Sequence, residues 1–196
     1  MIGIVNYGAG NIFSLTAALQ RIGVEYGMIN QVTDFDQYDR IIIPGVGHAG
    51  AAMKKLRETG LVEDILKLEK PVLGICVGMQ LLTACSEEGN VELLDIFPLK
   101  TLHFDERIQL KVPHMGWNSV RAENDCPLFQ DVPENTYFYF VHSYFIEYSK
   151  QYTGAVCEYG LRYSAAIQKN NFYGVQFHPE KSGKCGETLL LNFSKI

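Results

Sequence analysis

A cysteine set between two glycines, Gly74-Ile75-Cys76-Val77-Gly78, is the stretch of this sequence best suited to covalent chemistry. The run before it is strand-like and the run after it helix-like. A G-x-nucleophile-x-G turn at such a junction lifts the side chain above the sheet edge. Flanking glycines let the backbone turn without clashes. The positive end of the following helix lies beside Cys76 and favours its thiolate. The backbone N–H of Val77 is a natural donor to an oxyanion. Read alone, the same five residues also suit a buried structural cysteine between packing glycines.

A thiol nucleophile needs a base, and the base needs a group to orient it. Val175-Gln176-Phe177-His178-Pro179-Glu180 supplies both types. Pro179 has no N–H for a central ladder, so the strand must stop at about His178. An extended backbone would then turn His178 and Glu180 to the same side. Taken alone, His-Pro-Glu also suits a surface turn; beside the cysteine elbow it reads as a dyad. A third segment, Pro44-Gly45-Val46-Gly47-His48-Ala49-Gly50, is a glycine-rich strand-to-helix turn. It lacks the Gly-Lys-Ser/Thr ending of a P-loop. Its backbone N–H groups would serve a phosphate or an oxyanion equally well.

These motifs require a frame. Ile2–Val5, Ile41–Ile43 and Pro71–Ile75 are short apolar runs, and helical spacing follows each of them. The helices are expected at Ile12–Ile22, at Ala49–Lys67 with a break near Gly60, and from Val77 to Ala84. Strands apolar on both faces and alternating with helices imply an α/β parallel sheet covered on both sides. Later runs near 100–121, 136–147, 153–157, 163–168 and 172–177 are aromatic or β-branched. They suggest antiparallel strands added to that sheet, with a closing helix over Gly186–Phe193. No repeat, low-complexity segment or long linker divides the chain, so residues 1–196 are expected to form one domain.

Bulk composition excludes several classes. The 196 residues are 47% hydrophobic and carry a formal net charge of −5. An acidic balance without a Lys/Arg run speaks against nucleic acid. No apolar stretch reaches the roughly 18 residues of a membrane span, and the start lacks the flank of a secretory signal. Five scattered cysteines without a CxxC pair indicate neither a zinc site nor a disulfide framework. A cytoplasmic protein is the expectation. No ligand cluster is present, so neither metal nor organic cofactor is implied.

Pro44-Gly45-Val46-Gly47, Gly74–Leu82 and Gln176–Ser182 resemble, in order and spacing, the class I (triad) glutamine amidotransferases. Asn6–Asn11, Val112–Asn118 and Tyr139–Tyr144 extend the likeness from end to end, and point to the members serving imidazole glycerol phosphate synthesis in histidine biosynthesis. The resemblance implies a flavodoxin-like three-layer sandwich, its central sheet mostly parallel with added antiparallel strands. It implies Cys76 as nucleophile toward L-glutamine, His178 as acid–base, Glu180 as its orienter, and Val46 and Val77 as oxyanion donors. Gly47, Gln80, His142, Ser143 and Tyr144 would bind substrate. Ammonia would pass to a cyclase subunit with a (β/α)8 barrel, across a surface holding Tyr7, Asn11, Met115, Trp117, Asn118 and Lys181. For Trp117, core packing stays open; for Lys181, plain solvation. The same chemistry feeding another synthase, such as a sugar-amidating one, also stays open, as do a silent regulatory scaffold and a cysteine hydrolase. Many relatives carry glycine where this chain has Val46, and a β-branched residue resists the positive φ of a flipped peptide. An oxyanion hole incomplete at rest is therefore expected. Asn6 replaces a frequent aspartate, and Cys185 is an unusual fifth cysteine. Cys85, Cys126 and Cys157 are expected to be structural.

Overall fold

The computed structural model describes residues 1–105 and 107–196. Its first half follows the apolar runs: β1 (Ile2–Val5), α1 (Ile12–Arg21), β2 (Tyr26–Ile29), β3 (Arg40–Gly45), α2 (Ala49–Glu58), α3 (Val62–Leu66), β4 (Val72–Cys76) and α4 (Val77–Leu81). Then come β5 (Thr83–Ser86), β6 (Val91–Glu92), β7 (Phe97–His103), β8 (His114–Ala122), β9 (Thr136–His142), β10 (Tyr144–Ile146), β11 (Thr153–Glu158), β12 (Arg162–Lys169), β13 (Phe172–Val175) and α5 (Gly183–Phe193).

One sheet runs β2-β1-β3-β4-β13-β12-β10-β7-β5-β6, with β11, β8 and β9 branching from β12. Its first five strands are parallel. Four of them are buried almost throughout, as strands covered on both faces must be, and the edge strand β2 is half-buried. From β12 onward the pairing is antiparallel except between β5 and β7. The expected α/β architecture is therefore present. Helices α2 and α4 contact one another, and α1 contacts α5. No helix among the described residues is long and apolar enough to cross a membrane.

Two local expectations are corrected, and one strand is added. The helix expected from Val77 to Ala84 ends at Leu81, and Thr83–Ser86 is a strand paired with β6 and β7. The Thr83 hydroxyl donates to the Gln80 carbonyl, closing the helix end, and bonds Thr101 on β7. Tyr26–Ile29, too short and mixed to stand out, forms the edge strand β2. Within the stretch expected as strand near 100–121, β7 and β8 are separated by an irregular segment; Glu106 lies outside the described residues.

Candidate active site

The parallel register explains how three distant motifs meet. Strands β3, β4 and β13 are neighbours, with Gly45 opposite Cys76 and Val175 opposite Ile75. The glycine-rich turn, the cysteine elbow and the His-Pro-Glu segment all follow the carboxyl ends of these adjacent strands. Ligand sites of open α/β sheets form at that edge. Cys76 has φ 54° and ψ −112°, a left-sided backbone state that a side chain rarely adopts. Strand geometry ends there and α4 begins one residue later.

His178 is buried to 1% exposure and its Nδ1 lies 2.8 Å from Glu180 Oε1. Strand β13 stops at Val175, and Pro179–Lys181 form a 3-10 turn. This turn, rather than an extended backbone, brings Glu180 back onto the imidazole. The His178 main chain is pinned at both ends. Its N–H donates to the Tyr139 carbonyl, and its own carbonyl accepts from Ser182 Oγ at 2.6 Å. Burial alone would lower the His178 pKa, but the hydrogen bond to Glu180 and the charges of Cys76 and Glu180 outweigh it. The group is raised to about 10. Among the described residues, His178 Nε2 and Glu180 Oε2 have no hydrogen-bond partner. Gln176 Nε2 lies 3.8 Å from Cys76 Sγ.

In front of these groups opens a cleft of about 450 Å³. Val46, Gly47, Cys76, Val77, Gln80, His142, Ser143, Tyr144 and His178 all line it, so the sequence-derived substrate residues converge. Gln80 Nε2 reaches Gln176 Oε1 at 3.1 Å and the Tyr144 carbonyl at 3.4 Å, while its Oε1 is buried without a partner. Sequence reading missed Gln176, which a strand-end position beside His178 signalled, and Glu88, which nothing signalled. Glu88 lines the cleft, and its Oε2 accepts the Ala49 N–H at the start of α2.

The expected partner surface is mixed. Met115 and Trp117 are exposed at 63% and 55%, so Trp117 is not core. Lys181 Nζ stands 5.8 Å from the Tyr139 ring, against which Trp117 packs edge-on. Tyr7 is corrected: it is buried, and its hydroxyl donates to the Pro44 carbonyl at 2.6 Å, underpinning the glycine-rich turn. A phenol there has no surface to offer. Asn11 caps α1 through Ser14 N–H. Asn118 points inward, bonding the Glu158 carbonyl. Phe13, missed from sequence, is exposed at 82%. Cys126 and Cys157 are buried, whereas Cys85 and Cys185 are half-exposed.

A family model described as "Glutamine amidotransferase class-I" matches residues 3–195. The imidazole glycerol phosphate synthase subunit HisH of Pasteurella multocida is 47% identical over 192 residues, covering 98% of this chain and 96% of that protein. Its counterpart from Bacteroides thetaiotaomicron is 46% identical, covering 98% and 97%. Among solved structures, PurLQS from Thermotoga maritima superposes with a TM-score of 0.73 at 18% identity. It covers 98% of this chain and 96% of its own. The glutaminase domain of Trypanosoma brucei CTPS gives 0.64 at 16%, covering 99% and 93%. Those two likenesses concern the fold.

Proposed function

The chain belongs to the class I glutamine amidotransferases, and we propose that it is the glutaminase subunit of an imidazole glycerol phosphate synthase. It hydrolyses L-glutamine to glutamate and ammonia for histidine biosynthesis in the cytoplasm. The observation carrying this reading is the buried Cys76–His178–Glu180 line at adjacent strand ends, opening on a cleft of amino-acid size.

Cys76 Sγ attacks the side-chain carbonyl carbon of glutamine, and the carbonyl oxygen becomes an oxyanion. Val77 N–H and Val46 N–H stabilise it. His178, held by Glu180, delivers its proton to the departing nitrogen, so ammonia leaves and a glutamyl thioester remains. His178 then takes a proton from water, which attacks the thioester and releases glutamate and the free thiol. The Glu88 carboxylate suits the substrate ammonium, Ser143 and Tyr144 suit its carboxylate, and Gln80 lines the same cleft. Gly47, without a side chain, leaves room at the pocket wall.

The partner is a cyclase subunit with a (β/α)8 barrel, docking on the edge that carries Met115, Trp117 and Lys181, with Asn11 beside the glycine-rich turn and Phe13 exposed on α1. Trp117→Ala is expected to raise the dissociation constant about thirtyfold, the loss typical of an aromatic anchor, with the melting temperature little changed. Lys181→Ala is expected to weaken activation by the cyclase. Unaltered affinity and activation in both variants would remove this surface.

Val46 lies outside the set of positive-φ residues, whereas Gly47 has φ +86°. Turning the Val46 N–H toward the oxyanion forces its β-branched side chain into positive φ, costing about 1–2 kcal/mol. Partner binding supplies that energy. Val46→Gly is expected to speed glutamine hydrolysis about tenfold in the chain without its partner, and an unchanged rate would refute the gate. The primary test measures glutamine hydrolysis alone and with the cyclase partner and its nucleotide ligand. Weak activity that rises steeply with the partner supports the assignment. Partner-independent hydrolysis keeps the chemistry and rejects the partner.

A further inference from the structure

From His142 at the cleft wall a buried polar cluster runs back to His114, which the mechanism leaves without a role. Strands β8 and β9 pair so that His114 stands opposite His142. Alternation along β8 sends Met115 and Trp117 to solvent and His114 and Asn118 inward. The His114 ring is sandwiched between Phe140 at 4.8 Å and Tyr159 at 4.0 Å.

The hydrogen bonds assign every ring proton. Asn118 Oδ1 accepts from Ser119 N–H at 2.8 Å, and Asn118 Nδ2 donates to the Glu158 carbonyl at 2.9 Å. The amide orientation is thereby fixed, and Nδ2 faces His114 Nε2 at 3.3 Å. That nitrogen must accept, so the His114 proton sits on Nδ1. His114 Nδ1 lies 3.0 Å from His142 Nε2 and donates to it. His142 therefore carries its proton on Nδ1, which donates to the Tyr144 carbonyl at 2.7 Å. Reasoning from the other end agrees, because a carbonyl can only accept. Burial lowers His142 to about 3 and His114 to about 4, so both rings are neutral at neutral pH. The Tyr163 hydroxyl, at 3.2 and 3.3 Å from the two rings, closes the cluster.

We infer that His114, oriented by Asn118, is a positioning residue for the glutamine pocket. It locks His142 in one tautomer that holds the Tyr144 carbonyl, to which Gln80 Nε2 is also tied. The string thus sets Gln80, which lines the cleft and is held through its Nε2. This inference rests on the glutaminase reading for its kinetic consequence and on geometry alone for the tautomer.

The test compares wild type, His114→Phe and His114→Asn, each in complex with the cyclase partner. Phenylalanine keeps the ring stack and removes both nitrogens. Asparagine restores a donor where Nδ1 stood. Losing the hydrogen bond to His142 is expected to raise KM for glutamine about tenfold in His114→Phe, with kcat within about twofold, and asparagine is expected to recover most of it. Equal losses in KM and kcat, or no rescue, would overturn the positioning role. Heteronuclear NMR of the ring nitrogens provides the independent readout. His142 protonated on Nδ1 alone at neutral pH supports the string; the other tautomer or an imidazolium overturns it. A wild-type chain that hydrolyses no glutamine would reject the function while the tautomer result still stands or falls by itself.

Discussion

Cys76→Ala is expected to lower glutamine hydrolysis by about 10³-fold or more while leaving the chain folded, because the reaction runs through the Cys76 sulfur, set on the strand next to His178. The variant also exposes a second property of the elbow. At φ 54° and ψ −112°, any residue with a Cβ stores about 1–3 kcal/mol of backbone strain. Cys76→Gly removes the same sulfur and relieves that strain. Glycine ordinarily costs about 0.5–1 kcal/mol relative to alanine; here the order should invert. Both variants lose the contact with Gln176 Nε2, so their difference isolates the backbone. Cys76→Gly is expected to melt above Cys76→Ala by about 3–6 °C, for a chain of this size. Calorimetry giving the ordinary order would mean that the elbow is not strained, and that the thiol is placed by packing alone.

That strain shows which parts of the site were legible beforehand. Cys76, His178 and Glu180 could be read because their chemistry depends on residue type beside punctuation by glycine and proline, and both are visible in sequence. Their convergence required the adjacency of β4 and β13, which lie a hundred residues apart and pair only in the fold. Tyr7 was misplaced for a related reason. It belongs to a conspicuous polar loop, but burial depends on what lies above it, and the Pro44 carbonyl does. Glu88 left no trace because its position follows from β5 replacing the end of a helix, a switch made by tertiary pairing of Thr83 with Thr101. The apolar runs of β1, β3 and β4 were plain, since strands buried on both faces have little freedom of composition. The short β2 lacked that constraint.

Gly78→Ala is expected to destabilise the chain by about 3 kcal/mol and to lower hydrolysis at least about 100-fold, although helix propensity argues the reverse. Gly78 lies inside α4 without a positive φ, where alanine normally gains up to about 1 kcal/mol. The competing effect is steric. A Cβ on Gly78 would drive into the backbone carbonyl of Ile43, and Cβ atoms on the register partners Gly74 and Gly174 would meet α4 at Gly78 and Met79. These glycines form the groove in which α4 sits against β3, β4 and β13. Ile43 belongs to a fully buried strand that cannot retreat, so α4 must move. Val77 and Cys76 would move with it, and a shift near 1 Å at the reacting atoms costs about 100-fold in rate. For 196 residues, about 3 kcal/mol corresponds to a melting temperature lower by about 6–12 °C. Gly60→Ala provides the control: it has φ +72° but nothing within 4 Å of an added Cβ, so only backbone strain of about 1 kcal/mol applies and activity should persist. A Gly78→Ala chain as stable and active as wild type would show that α4 can slide without moving the thiol, and that the glycine groove does not position the nucleophile.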